Sequence, residues 1–585
     1  MAAARVLLAL LAVMGVPSAA TPAWAAKSAG SSSSKATRAD AAFTALGTRY
    51  LDHVLATQPQ LATRLGVHDG DDRLIPVTAP SLEAELAWTR AFQAEVARIP
   101  RTALSFDRAL EHDLLTARLE RDRFELEVLR PYEGDPNAYL DLVAGSIQSL
   151  IQREFTSPCR RLMSVSRRLR QVPEVLRAAR INLRAPSRLA TEVALEQYRG
   201  VLTLYRSGVG TLAARCKDPG LQAELAESDT LAVRAVEEFI QHLQDVLPQA
   251  REAFALGRES WQRMLAAREM DTTPADSLYA RGERALGETR TRMEEIAERI
   301  APGAGVRAAL DTLAVVHPEP DSLVPWVERR LGAIRAFVVE HRIVTLPARE
   351  DLHVRAAPPF RRGLSFASLD APGVWEKAAT EAYYNVTPVE PSWSDERRLQ
   401  HLGFFNRWAT DIVTIHEALP GHDVQARAVR KLSSRLRQFL SSGANTEGWA
   451  HYCEQMMIEQ GYGADDPRYQ LAQLDLALQR IGRLMTSIGL HTRGMSLNEA
   501  KAFLVDRCYM ADANAAREAR RAALEPMVLV YTLGKWRILE LREELRAALG
   551  TGFDLRAFHD AFLSQGPSAL PVVRAAMLRQ MLPRH

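Results

Sequence analysis

Apolar residues recur at helical spacing along much of this chain. Two stretches share the spacing i, i+3, i+7 and i+10: Leu162, Val165, Leu169 and Val172, then Leu471, Leu474, Leu478 and Ile481. This spacing puts the apolar side chains on one face of a helix, whereas the period-two alternation that is typical of strands is scarce. The pattern therefore predicts a mainly α-helical fold.

Signals for the start of helices support this prediction. Ser496 and Glu499 have the spacing of a capping box, ahead of the apolar segment 500–505. Pro274 is expected at the first position of another helix, where a missing N–H breaks no helical hydrogen bond.

Proline-containing segments interrupt the helical pattern in the middle of the chain. They predict an approximate boundary between two regions near residue 350. These segments are 301–305, 317–320 and 356–358. We therefore expect a helical N-terminal region at 41–350 and a helical C-terminal region at 351–585.

The N-terminus has the features of a secretory signal peptide. Residues 1–26 contain an apolar run from Val6 to Val16 and small residues around Ala25, where we expect cleavage. The Ser-rich segment 27–40 is expected to be a flexible leader. A membrane-spanning helix needs about 20 apolar residues, and no segment reaches that length. No Cys follows the run closely, so we expect an exported protein, periplasmic or secreted, with neither a membrane span nor a lipid anchor.

The net charge argues against binding to nucleic acid or an anionic membrane, and the number of cysteines argues against a disulfide scaffold. The 74 basic and 71 acidic residues give a formal net charge of +3, which offers no electrostatic case for binding nucleic acid or an anionic membrane. Four cysteines are too few for a disulfide scaffold, although an oxidising compartment allows one or two bridges. A solvated helix face is predicted for the basic residues Arg160, Arg161, Arg167, Arg168 and Arg170.

Candidate chemistry is concentrated in the segment HEALPGHDVQ, which begins at His416. Glu417 follows that histidine directly, and His422 offers a second imidazole. Histidines six residues apart point about 120° away from each other on a straight helix, but Pro420 and Gly421 are expected to break the helix between them. A catalytic zinc site takes three protein ligands and keeps one position open. The segment predicts such a site, with two ordinary histidines near a helix end as the alternative.

A second group of polar residues occurs in the segment TEGWAHYCE, which begins at Thr446. Glu447, His451 and Glu454 lie at i, i+4 and i+7, so they share one face of a predicted helix. Glu447 is the preferred third metal ligand, and Glu454 is an alternative ligand or a group that contacts a ligand. His451 is a candidate substrate or ligand contact. A solvated helix face would show the same spacing.

Both segments resemble the domain-of-unknown-function 885 family, whose pattern is His-Glu-Ala-x-Pro-Gly-His-x-x-Gln followed by Glu-Gly-Trp-Ala-x-Tyr-x-Glu. The second segment is also similar to a segment of zinc aminopeptidases in which the first Glu binds zinc, which implies a ligand role for Glu447. The resemblance implies an exported protein like the zinc metallopeptidases, with a zincin-like helical architecture around a channel and one Zn²⁺ per chain. Residues 525–531 depart from the family's Pro-Gly-Gln-Ala-x-x-Tyr and retain only Tyr531.

The expected mechanism uses zinc to activate water and to polarise a substrate carbonyl. Glu417 is the candidate general base. Tyr531 and His491 are the candidates for stabilising the oxyanion.

The expected substrate is a peptide or a small amide. Arg520 or Arg521 can bind a peptide carboxylate through a bidentate pair, or can pair with neighbouring glutamates. Tyr383 and Tyr384 are expected to line the channel, because family members have an aromatic pair in a comparable place.

The sequence leaves two alternatives open. The same chemistry would serve hydrolysis of a non-peptide amide or ester. The chain could instead be an exported binding or cell-envelope protein with a structural or vestigial metal site. Structural zinc sites normally have four protein ligands, often cysteines, so three ligands beside a free Glu417 favour the hydrolase.

Overall fold

The computed structural model describes residues 29–75, 77–347, 351–358, 362 and 366–582. The helices before the sheet are α1 (Ala29–Thr57), α2 (Pro59–Leu65), α3 (Ala79–Ala97), α4 (Phe106–Phe124), α5 (Pro131–Gly134), α6 (Ser146–Gln152), α7 (Pro158–Asn182), α8 (Arg188–Thr203), α9 (Val209–Ala213), α10 (Pro219–Val246), α11 (Arg258–Glu269), α12 (Ala275–Ile300), α13 (Gly305–Ala314) and α14 (Leu323–Glu340). The strands are β1 (Leu352–Ala356), β2 (Ala367–Asp370) and β3 (Ala382–Val386). The helices after the sheet are α15 (Asp395–Phe404), α16 (Arg407–Glu417), α17 (His422–Arg430), α18 (Arg435–Phe439), α19 (Gly443–Glu459), α20 (Pro467–Thr492), α21 (Leu497–Cys508), α22 (Asp512–Leu524), α23 (Val530–Leu549), α24 (Leu555–Leu563) and α25 (Leu570–Met581).

The mainly helical prediction is confirmed, and both apolar stripes are buried faces of long helices, α7 and α20. The capping box at Ser496 is also confirmed, with hydrogen bonds to and from Glu499. Pro274 is the N-cap of α12 rather than its first residue, because its ψ of 141° keeps the backbone extended there. None of the helices in the described ranges is both long and apolar enough to cross a membrane.

The N-terminal predictions have two outcomes. The signal peptide expected at 1–26 and its cleavage site near Ala25 lie outside the described residues. Helix α1 begins at Ala29, so most of the segment expected as a flexible leader at 27–40 is helical. The apolar residues from Phe43 onward are packed into the core, and a helix anchored in this way extends at little cost because each added residue gains a hydrogen bond.

A small sheet was not anticipated by the apolar pattern. Its strand order is β1-β3-β2, with β1 parallel and β2 antiparallel to β3. The strands contain only four or five residues, and β1 and β2 lack a clean alternation of buried and exposed positions. Strand β2 lies at an edge of the sheet and contacts α16.

The predicted solvated face of α7 is wrong for two of its arginines. Arg161 and Arg168 are 1% and 0% exposed. The Arg161 guanidinium donates to the carbonyl oxygens of Leu150, Ile151 and Arg153, at the C-terminal end of α6. A cation stabilises these carbonyls, which lack helical partners. These two arginines therefore tie helices together, whereas Arg160, Arg167 and Arg170 of the same run are exposed as predicted.

The hydrophobic core continues across residue 350. Its largest cluster joins Trp261 and Leu286 of the N-terminal region to Trp449 and Leu478 of the C-terminal region. The boundary near residue 350 thus falls between α14 and β1 but does not separate two independent cores. This shared core fixes the N-terminal helices against those that carry the motifs.

The four cysteines form one disulfide, which is within the one or two bridges that the sequence allows. Cys159 and Cys216 form a disulfide in the N-terminal region. Cys453, inside the second motif, is buried and free, as is Cys508.

Helices α19 and α23 approach each other through two glycines. A Cβ on Gly448 would lie 2.5 Å from Cα of Gly534, and a Cβ on Gly534 would lie 1.8 Å from the carbonyl oxygen of Ala444. Both distances are too short for non-bonded atoms, so each glycine is required for this contact. The contact fixes the position of Glu447, which precedes Gly448, relative to the start of α23.

We expect Gly534→Ala to push α19 and α23 apart and to lower the free energy of unfolding by about 1–3 kcal/mol. Denaturant unfolding followed by circular dichroism measures this change. Gly287→Ala on α12 is the matched control, because a Cβ there meets no atom within 4 Å and alanine favours helix. Equal stability of the two variants would show that the α19–α23 contact tolerates a methyl group.

Candidate metal centre

The turn between α16 and α17 brings the two histidines of the first motif together. His416 lies near the end of α16, and α17 begins at His422. A Cβ on Gly421 would lie 2.0 Å from the carbonyl oxygen of His416, so only glycine permits this close return of the backbone. Trp449 of α19 donates from its Nε1 to the carbonyl oxygen of Pro420 at 3.0 Å. The predicted break in the helix is confirmed.

His416, His422 and Glu447 form a compact cluster. The two imidazole rings are nearly perpendicular, with centroids 4.7 Å apart. Oε2 of Glu447 lies 3.5 Å from Nε2 of His416 and 3.6 Å from Nε2 of His422. One potential ligand atom from each residue lies within 4.8 Å of those of the other two. Within the described ranges, no other group of three or more His, Cys, Asp or Glu side chains is this compact.

The donor set and its spacing fit a zinc ion. Adjacent ligand atoms of a tetrahedral site are about 3.3–3.4 Å apart when the bonds are about 2.0–2.1 Å long. The two nitrogen–oxygen distances to Glu447 are close to that value and are too long for strong hydrogen bonds. Two imidazoles and one carboxylate also match the ligand chemistry of catalytic zinc sites.

Glu454 supports the cluster from behind. Nδ1 of His416 donates to Oε1 of Glu454 at 2.7 Å. Arg480 forms an ion pair with the same carboxylate oxygen at 2.8 Å and donates to Oε2 at 3.3 Å. Glu454 is fully buried. A carboxylate on the second nitrogen of a ligating histidine fixes the orientation of the ring and its tautomer. The geometry therefore favours Glu447 as the third ligand and Glu454 as the group that orients His416.

His451, the candidate substrate or ligand contact, is enclosed in the protein and contacts Glu454. Its side chain is 0% exposed, and its Nδ1 donates to Oε2 of Glu454 at 3.1 Å. Burial lowers its pKa well below the usual value, with a further contribution from the charge of Lys535 on α23. His451 is thus a neutral group that holds Glu454.

Without a bound cation, His416 is protonated near neutral pH. Burial acts to lower the pKa of His416, but its contacts with Glu447 and Glu454 outweigh burial and raise the pKa to about 9. Burial opposes ionisation of Glu447, yet His416 and His422 lower its pKa well below the usual value. A metal ion must therefore displace the proton of His416.

We expect the apparent zinc affinity to rise about tenfold per pH unit between about pH 7 and pH 9, because His416 releases one proton on binding below its pKa. Above that pKa the dependence should level off. Titration calorimetry in buffers of different ionisation enthalpy measures the released protons directly. Binding with no proton release at pH 7 would contradict a protonated His416.

Glu417 is held at the edge of the sheet. It is half-buried at the end of α16 and accepts a hydrogen bond from the backbone N–H of Leu369 in β2 at 2.8 Å. The Glu417 carboxylate is not part of the cluster formed by His416, His422 and Glu447. It therefore remains available for proton transfer. Leu369 gave no sequence signal, since its contribution is a backbone N–H.

Tyr531 lies beside the cluster, and arginines surround its ring. The ring is nearly parallel to that of His416, with centroids 6.5 Å apart. The guanidinium carbons of Arg480, Arg483 and Arg521 lie 5.8, 5.2 and 6.0 Å from its centroid. Arg480 and Arg483 were missed by sequence reasoning. Their signal was a pair of cations inside the otherwise apolar run of α20.

His491 and Arg520, two of the predicted site residues, bind groups outside the cluster. His491 accepts from the N–H of Leu256 at 3.3 Å and donates to the carbonyl oxygen of Ala522 at 3.1 Å, so neither ring nitrogen is free for an oxyanion. Burial lowers its pKa to about 4. Arg520 pairs with Glu196 of α8 at 3.1 Å rather than approaching the cluster.

The aromatic pair on β3 divides between the two faces of the sheet. Tyr384 is 0% exposed, and its hydroxyl lies 3.3 Å from that of Thr414 on α16. It therefore packs against α16, which carries His416, and is too deeply buried to line a channel. Tyr383 is half-buried and stacks under the guanidinium of Arg355 at 3.6 Å.

Comparison with known proteins agrees with the motif pattern. The family of bacterial proteins of unknown function termed DUF885 matches residues 59–577. The chain belongs to the DUF885 family. Among curated proteins, no significant match to this DUF885 chain was found.

Two solved structures share the fold of this DUF885 protein. A candidate lipoprotein of unknown function from Shewanella oneidensis is 28% identical, with a TM-score of 0.78 over 92% of this chain and 99% of its own. A candidate lipoprotein from Colwellia psychrerythraea is 17% identical, with a TM-score of 0.78 over 93% of this chain and 99% of its own. These likenesses show that the two lipoproteins and this chain share a fold, and the two descriptions name no reaction.

Proposed function

We propose that this DUF885 protein is a zinc-dependent hydrolase that cleaves a peptide or amide bond. The observation that carries the proposal is the grouping of His416, His422 and Glu447 within 4.8 Å, with Glu417 next to the group and outside it. Three protein ligands leave a fourth position for water or substrate, as in catalytic zinc sites. The proposal includes a zincin-like arrangement, with a channel between the N-terminal helices and the metal-binding helices.

The residues around the cluster have separate tasks in this proposal. Bound zinc would supply a Lewis acid that polarises the carbonyl and favours deprotonation of water. Glu417 takes the proton of the attacking water and delivers it to the leaving nitrogen. The hydrogen bond from Leu369 holds the Glu417 carboxylate in place.

Tyr531 is the proposed donor to the developing oxyanion. Burial, followed by the charge of Glu447, raises the pKa of its hydroxyl, so the hydroxyl stays protonated at neutral pH and can donate. A single donor of this kind contributes about 3 kcal/mol to the transition state in other hydrolases.

Export belongs to the same proposal. The disulfide between Cys159 and Cys216 supports an oxidising compartment. The candidate lipoproteins that share the fold are consistent with export. We therefore place the proposed hydrolase in the periplasm or outside the cell.

The proposal is tested by incubating the zinc-loaded protein with a mixed peptide library and identifying products by mass spectrometry. We expect new peptide termini, their loss after chelation and their return when zinc is added. Zinc binding without cleavage of peptides, amides or esters would contradict the hydrolase and favour an exported binding protein.

A further inference from the structure

A positively charged wall lies beside the candidate metal centre. It consists of Arg517 and Arg521 of α22 and Arg483 of α20. Arg517 and Arg521 lie at i and i+4, so they share one face of α22. Nη2 of Arg521 is 3.5 Å from the hydroxyl of Tyr531. The guanidinium of Arg517 lies over the ring of Phe366, 5.8 Å from its centroid. The wall therefore extends from Tyr531, which stacks on His416, toward the residue that precedes β2.

The wall has more positive than negative charge. Glu518 accepts hydrogen bonds from Arg483 at 2.7 and 3.1 Å. Burial opposes its ionisation, but Arg483, with help from the charges of Arg521 and Arg517, lowers its pKa. One buried carboxylate thus faces three guanidinium groups. Within the described ranges, Arg517 has a ring contact but no ion pair or hydrogen bond.

The remaining counter-ion of the wall is easily displaced. Arg521 pairs with Glu525 at 2.9 Å, but the Glu525 side chain is 57% exposed. An exposed pair of this kind contributes little to stability, because water and salt screen both charges. A ligand carboxylate that contacts Arg521 and Arg517 together would replace this weak pair and would neutralise the excess charge.

We propose that Arg517 and Arg521 form a subsite that binds a carboxylate of the substrate, next to the metal centre. This inference rests on the proposed hydrolase and narrows its substrates to peptides that carry a negative charge near the scissile bond. Guanidinium groups suit this task because they form bidentate, charge-assisted hydrogen bonds with carboxylates. The carboxylate can be the C-terminus of the peptide or an acidic side chain.

The test measures binding of three probes to the zinc-loaded Glu417→Gln protein, so that turnover does not interfere. The probes are acetyl-trialanine, acetyl-trialanine amide and acetyl-Ala-Glu-Ala amide. We expect at least one of the two carboxylate-bearing probes to bind about tenfold more tightly than the uncharged amide. Preference for acetyl-trialanine identifies the C-terminal carboxylate, and preference for the Glu-containing amide identifies the side chain.

Variants in the same background locate the subsite. Arg521→Gln and Arg517→Gln should each reduce the preference for a carboxylate several-fold, and the double variant should abolish it. Arg520→Gln is the matched control, because Arg520 pairs with Glu196 instead, and it should keep the preference. Equal binding of all three probes, absence of binding, or a preference that survives the double variant would overturn the subsite.

The inference and the proposed function fail separately. Peptide cleavage by the wild-type protein without any carboxylate preference would leave the hydrolase intact and remove the subsite. A carboxylate preference in binding, with no cleavage of any library peptide, would leave the subsite intact and remove the hydrolase.

Discussion

Replacing Glu417 by Gln should lower kcat by about 10²–10⁴-fold while leaving zinc binding unchanged. Gln keeps the shape of the side chain, and its oxygen can still accept the N–H of Leu369, but it cannot take a proton from water. Initial rates on the best library peptide measure kcat, and elemental analysis of the same samples measures zinc.

A matched carboxylate change separates this effect from a general loss of charge. Glu294 is exposed on α12, so Glu294→Gln should retain full activity. Unchanged kcat in Glu417→Gln would remove the proposed base, and joint loss of zinc and activity would show that Glu417 acts through the metal.

Replacing the two glutamates of α19 should give different results. Glu447→Ala removes a ligand atom from the cluster, so we expect zinc to fall from about one per chain to near zero. Glu454→Gln removes the charge behind His416 but leaves the three ligands, so the zinc affinity should fall about 10–100-fold with unchanged stoichiometry at saturation.

Competition with a chelator of known affinity measures both variants, and circular dichroism shows whether each remains folded. Glu454 requires this check because it is buried against Arg480. The reverse result, with zinc retained in Glu447→Ala and lost in Glu454→Gln, would assign the third ligand to Glu454.

The sequence predicted that His416, His422 and Glu447 lie close together, because most of that information is local. Pro420 and Gly421 indicated the break that lets His416 and His422 face one point, and the position of Glu447 in the second motif indicated the third ligand. The spacing could not separate Glu447 from Glu454, because residues seven apart share a helix face. Arg480 of α20 separates them, since it holds Glu454 behind the histidine.

The surroundings of several other predicted residues depend on packing that spacing does not encode. His451 shares a face with Glu447 in the sequence but is enclosed between α19 and α23. Tyr383 and Tyr384 are adjacent, yet a strand directs them to opposite faces. Arg161 lies in a basic run, and the carbonyl oxygens at the end of α6 accept hydrogen bonds from its buried guanidinium.

The most direct test of the metal centre is an anomalous difference map at the zinc edge, from crystals of the zinc-loaded protein. A single strong peak should lie about 2.0–2.2 Å from Nε2 of His416, Nε2 of His422 and a carboxylate oxygen of Glu447. A map with no peak between these three residues, or with its only peak elsewhere, would contradict the assigned centre.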